Sequence, residues 1–277
     1  MESKIADAIK LKTHPVTVIF TDEKPEKAKQ FKEGKWNCVM WMVANAARGK
    51  QAVFDRKTFG CWGGAVGLGF GNFYEKWPGG IDLFYHFLSH GVGKDEKGKK
   101  FAESIKPFLR NEIYDELMHG ERYLKSPELV KKFVELLPIT DIPAEYVVYK
   151  PMKDVDPDKE TPEIIIFFVN PHQLSALVVL ASYAREDNES CIIPQAAGCQ
   201  SIGIYPYQEA RSDSPRAVVG LVDLSARLNI RKQLGDDLMT FAVPFKMFQE
   251  MEESVEGSFL ERPTWKNLLK TMEHENK

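Results

Sequence analysis

Ile164-Ile165-Ile166-Phe167-Phe168-Val169 runs straight into Asn170-Pro171-His172-Gln173. The first six residues lack the polar alternation of a strand with one wet face, so they predict a strand covered on both sides. Asn170 is a favoured helix N-cap and Pro171 suits the first helical position. Leu174, Leu177, Val178 and Ala181 then recur at helical spacing in a segment expected to run from Gln173 to Arg185. A central strand feeding a packed helix predicts an α+β chain: a mixed sheet with packed helices in one compact body. Further strands are expected at Val16–Phe20, Ala52–Phe54, Tyr146–Tyr149, Ala217–Val222 and Met239–Val243.

The 277 residues are expected to form a single domain, with the acidic, Pro-rich stretch Met152–Pro162 as the place where two lobes would meet. Hydrophobic content of 43% and a formal net charge of -3 describe an ordinary globular chain with no basic field for nucleic acid. No run approaches the roughly 18 apolar residues of a spanning helix, and Met1-Glu2-Ser3-Lys4 does not open a signal peptide. Neither nucleic acid nor a membrane is therefore an expected partner, and a cytoplasmic protein is expected.

Helices are expected near Ile5–Lys12, Cys38–Arg48, Asp82–His90, Phe101–Arg110, Ile113–Met118, Phe245–Met251 and Trp265–Met272. Another starts at Ser126, an N-cap followed by proline at the first helical position. The aromatic run Phe73–Gly80 reads as a turn anchored to the core, or as a lid over a pocket.

Chemistry is concentrated around cysteine and glycine. Cys61-Trp62-Gly63-Gly64-Ala65-Val66-Gly67-Leu68-Gly69-Phe70-Gly71 has glycine at five of eleven positions. Glycine lets main chain approach a ligand closely, so Gly63 and Gly64 are candidate cofactor-binding positions in a loop whose N–H groups face an anion or cluster sulfurs. The bland reading is a turn packing a strand against a helix. Neither the dinucleotide fingerprint nor the P-loop is present. Cys191 and Cys199 stand eight positions apart around Pro194 and Gly198, and Gly198 is a third cofactor-binding candidate. Cys38 opens an apolar helix, where thiolate character is favoured. Two thiols from each half, Cys38 and Cys61 with Cys191 and Cys199, supply four metal ligands if both halves share one core. No C-x-x-C pair is present, and the ordinary alternative is four buried, reduced thiols.

Asp223 and Arg227 have the spacing of a helical ion pair, or Arg227 could clamp an anionic ligand. His86 and His90, also four apart, have no intervening glutamate and read as one helix face.

Asn37-Cys38-Val39-Met40, Ala47-Arg48-Gly49-Lys50, Cys61-Trp62-Gly63-Gly64-Ala65 with Leu68-Gly69, Phe168-Val169-Asn170-Pro171-His172-Gln173 and Gly198-Cys199-Gln200 share one resemblance. Together they resemble domain of unknown function 169, the uncharacterised ArCR family of archaea and anaerobic bacteria. Gly220–Arg227, Asp236-Asp237 and Val243-Pro244 are similar to that family's tail, where a cysteine is expected at the place held by Asp223. The resemblance implies importance for the cysteines and carries no reaction. Two functions remain. One is an iron–sulfur protein of anaerobic metabolism, its 4Fe-4S cluster held by the four cysteines for electron transfer or small-molecule chemistry. The alternative is a metal-free small-molecule binding or structural protein. A redox partner, a small anionic ligand and a homo-oligomer are the partners these readings allow.

Overall fold

The computed structural model describes residues 1–275. The protein is α+β. Its seven strands are β1 (Val16–Thr21), β2 (Ala52–Phe54), β3 (Tyr146–Pro151), β4 (Ile164–Val169), β5 (Cys191–Ile192), β6 (Ala217–Gly220) and β7 (Met239–Pro244), in the spatial order β2-β3-β1-β4-β7-β6-β5. Neighbours are antiparallel except β5 and β6, so the sheet is mixed. β4 is the middle strand of seven and all six of its residues are buried, as its unbroken apolar run predicts. Its register pairs Val16 with Ile166 on one side and Phe167 with Phe241 on the other.

The helices are α1 (Lys4–Ala8), α2 (Val39–Ala47), α3 (Trp62–Gly67), α4 (Ile81–Leu88), α5 (Glu96–Ile105), α6 (Asn111–His119), α7 (Pro127–Leu136), α8 (Pro171–Ser182), α9 (Gly198–Ile202), α10 (Ile204–Glu209), α11 (Leu224–Leu234), α12 (Phe245–Glu253) and α13 (Pro263–Glu275). Contacts gather the chain into two units, residues 1–70 with 140–277, and residues 71–139.

In the first unit, Ile165, Phe167, Val169, Val219, Phe241 and Val243 point to one face of the sheet. There they pack with Ile5 of α1, Leu177 and Leu180 of α8, Met247 and Phe248 of α12, and Trp265 of α13. Burying each such side chain is worth about 1.5–3 kcal/mol. Alternation turns Val218, Gly220, Thr240 and Ala242 to the other face, which α9 and α10 cover. Asn170 and Gln173 form the capping box that starts α8, and the Gln173 amide also donates to the carbonyls of Ile9 and Lys10, tying down the end of α1. The Met152–Pro162 stretch lies inside this unit. Glu160 from it binds the buried ammonium of Lys150 at 2.7 Å.

The second unit contains α4 to α7. Ser126 caps α7 with Pro127 as its first residue. The aromatic run folds into a 3-10 turn, Phe73–Lys76, whose Tyr74 ring stacks on Phe84 at 4.1 Å while Trp77 leans on Phe84 and Phe87. These rings anchor the turn to α4.

Much of the glycine stretch differs from the expected ligand-facing loop: Trp62–Gly67 form α3, and Gly69 and Gly71 follow it with positive φ. Its start is held by Cys61, whose Sγ accepts the Gly64 N–H at 3.2 Å. Glycines recur because another chain passes close by. A methyl at Gly67 would come 2.7 Å from the Cys199 carbonyl carbon and 2.8 Å from the Gln200 nitrogen, so α3 and α9 touch through main chain.

Candidate functional site

The four cysteines do not gather as the iron–sulfur reading requires. Cys191 lies on β5, opposite Ala217, and packs against the cluster containing Phe167 and Val219. Cys199 lies on α9, against the opposite face of the sheet. Burial pushes the Cys191 thiol up to about 11, with Arg185 pulling the other way, and no other cysteine acts on it.

Cys38, Cys61 and Cys199 are neighbours. Cys38 is the N-cap of α2 and Cys61 of α3, both with extended backbone, and Cys199 follows the first residue of α9. Burial, and then the nearby Cys61, push the Cys38 thiol up to about 12, although Met40 N–H works against the rise. Burial, then Cys61, Cys38 and Asp223, hold the Cys199 thiol well above its ordinary value. The Cys199 thiol donates to the Gly63 carbonyl at 3.2 Å. Burial thus holds Cys38 and Cys199 as neutral thiols at neutral pH.

Asp223 completes this neighbourhood at the place where the family pattern leads one to expect cysteine. Its carboxylate caps α11 by accepting the Ser225 and Ala226 N–H groups, and it also accepts the Gly198 N–H at 3.1 Å. Sequence spacing missed this grouping because Cys191 and Cys199 are close in the chain and Asp223 is not. The resemblance at Asp223 was the signal that could have found it.

Among the described residues no group of three or more His, Cys, Asp or Glu side chains is arranged to hold a metal ion. The proposed ligand set Cys38, Cys61, Cys191 and Cys199 therefore does not fit a 4Fe-4S cluster, and the iron–sulfur function is overturned. His86 and His90 share a face of α4 with their rings 5.1 Å apart, and His90 Nδ1 is taken up by the Gly91 carbonyl.

The three candidate glycines have protein partners. The Gly63 carbonyl accepts the Cys199 thiol, the Gly64 N–H donates to Cys61, and the Gly198 N–H donates to Asp223. A methyl at Gly64 would meet the Val39 side chain at 2.6 Å and the Phe59 carbonyl at 2.7 Å.

Arg227 makes no ion pair with Asp223. Its guanidinium donates to the Asp236 carbonyl at 3.1 Å and reaches the Met239 sulfur at 2.7 Å. Turned this way it lines a hollow of about 280 Å³ along α11, with Leu221, Leu224, Leu228, Ile230, Arg231, Gly235 and Asp236. The Arg231 guanidinium has no hydrogen bond or ion pair with the described residues. Leu221, fully buried at the base, has φ +65°, a left-handed conformation that costs an L-residue about 1–2 kcal/mol.

The chain belongs to the family described as uncharacterised ArCR, domain of unknown function 169, whose model matches residues 4–254. No curated protein and no solved structure was found to match it. Among the described residues no helix is long and apolar enough to cross a membrane.

Proposed function

We propose that this member of the uncharacterised ArCR family binds a small organic anion, a carboxylate or phosphate joined to an apolar group, in the hollow along α11. One observation carries the reading: two arginines, Arg227 and Arg231, line the same hollow as Leu221, Leu224, Leu228 and Ile230. An arginine fork matches a carboxylate or phosphate with two parallel hydrogen bonds. Against these two cations stands the single carboxylate of Asp236. Leu224 and Leu228 are 64% and 67% exposed at the rim, an apolar surface that an alkyl or aryl group would cover. The strained Leu221 is a second support, because residues held in unfavourable backbone regions concentrate at ligand clamps. A reducing, cytoplasmic setting suits four cysteines of which none is in a disulfide.

Titration calorimetry of the full chain with octanoate, benzoate and inorganic phosphate tests the reading. Octanoate or benzoate is expected to bind, and Arg231→Ala to weaken binding about tenfold or more, since a charged hydrogen bond is worth about 1.5–3 kcal/mol. Absence of binding by every probe, or affinity unchanged in Arg231→Ala, would refute it.

A further inference from the structure

Two separate segments meet at Cys38 and Cys61. The Asn37 N–H donates to the Gly60 carbonyl at 3.3 Å, and a methyl on Gly60 would lie 2.6 Å from the Asn37 carbonyl oxygen. The residues that follow this contact are Cys38 and Cys61, each with extended backbone. A disulfide needs Cα atoms about 4.4–6.8 Å apart, and the Asn37–Gly60 contact brings the two segments together one residue before each cysteine. Flanking indoles hold the two segments together: Trp36 stacks on Trp62 with centroids 3.7 Å apart and planes inclined by 16°. Both cysteines are half-buried, so a small reagent can reach them. Their sulfurs are not equivalent. Cys61 Sγ accepts the Gly64 N–H, the role a thiolate fills best, whereas no side-chain hydrogen bond from Cys38 caps α2.

We propose that Cys38 and Cys61 form a redox-active dithiol that a low-molecular-weight disulfide closes into an intramolecular disulfide. Cys61 attacks one sulfur of R–S–S–R; the S–S bond breaks, Cys61–S–S–R forms, and one RSH leaves with the Cys61 proton. Cys38 then attacks Cys61 Sγ; the mixed disulfide breaks, the Cys38–Cys61 bond forms, and a second RSH leaves with the Cys38 proton. Two protein thiols are oxidised and one external disulfide is reduced, so two electrons and two protons balance.

The test uses the reduced full chain, held without oxygen and incubated with oxidised glutathione. Remaining thiols are blocked with a maleimide, and the chain is cut by trypsin without reductant. Cleavage after Lys35 and Arg48 and after Lys57 and Lys76 puts the two cysteines on different peptides, while Cys191 and Cys199 share a third. The expected result is a linked pair of peptides 36–48 and 58–76, with the third peptide carrying two maleimides. Cys38→Ser should stop at a glutathione adduct on Cys61, and Cys61→Ser should slow adduct formation on Cys38 at least tenfold. Four blocked thiols after incubation, or a link from either cysteine to the third peptide, would overturn the proposal. The wild-type map decides this even if a variant fails to fold.

Discussion

Replacing Gly67 with alanine sets two effects of known size against each other. Alanine is favoured over glycine in a helix by about 0.8–1.0 kcal/mol. Here the new methyl would lie 2.7 Å from the Cys199 carbonyl carbon, 2.8 Å from the Gln200 nitrogen and 2.9 Å from the Cys199 Cβ. Comfortable carbon contacts begin near about 3.5 Å, so α3 and α9 must part by roughly 0.7 Å. No rotamer change relieves the overlap, because two of the three atoms are main chain and the third is fixed to it. Overpacking costs about 1–3 kcal/mol, and the upper end applies where the neighbours cannot turn away. The net expectation is a loss of about 2 kcal/mol, read as a fall of about 4–8 °C in Tm by calorimetry or circular dichroism. Gly198→Ala is the internal comparison. There the methyl meets the Ala226 Cβ and the Met40 Cγ, both at 3.1 Å, and the methionine side chain can shift. That variant should stay within about 1 kcal/mol of the parent. A Gly67→Ala protein more stable than the parent would show that α3 and α9 are not packed through their backbones.

Glu160→Gln leaves the buried ammonium of Lys150, 8% exposed, without its counter-charge, and urea denaturation should register a loss of about 3 kcal/mol. Asp223→Ala removes the cap of α11 and the acceptor of the Gly198 N–H; a loss of about 1–2 kcal/mol is expected, most of which Asp223→Asn should restore. Stability should also fall with alkaline pH through Cys38. Its folded pKa, raised to about 12, exceeds the ordinary thiol value of 9.0, so the unfolded chain gives up its proton first. The contribution is complete below the unfolded pKa and is lost as pH climbs from there through the folded pKa. Between about pH 8 and about pH 10 the parent should lose about 1 kcal/mol more than Cys38→Ser, and equal slopes in urea titrations would contradict it.

The sequence by itself determined the elements whose signals are local. The apolar run Ile164–Val169 could be satisfied only by cover on both faces, and it is the central strand. Asn170-Pro171 and Ser126-Pro127 marked the starts of α8 and α7, because a cap and the N1 position are defined within four residues. The family was legible too, in motifs distributed over most of the match. Tertiary structure alone decided what the glycine stretch is. Its propensity argues against a helix, and only the close passage of α9 past Gly67 explains why glycine is needed there. It also decided which cysteines meet. Cys191 and Cys199 are close in sequence, but β5 and α9 carry them to opposite faces of the sheet. Asp223, remote in the chain, joins Cys38, Cys61 and Cys199 because α11 begins where it can bind the first amide of α9. Residue spacing measures distance along the chain, whereas a site depends on which face of the sheet each crossover delivers its residues to. That is settled by the packing of the whole core.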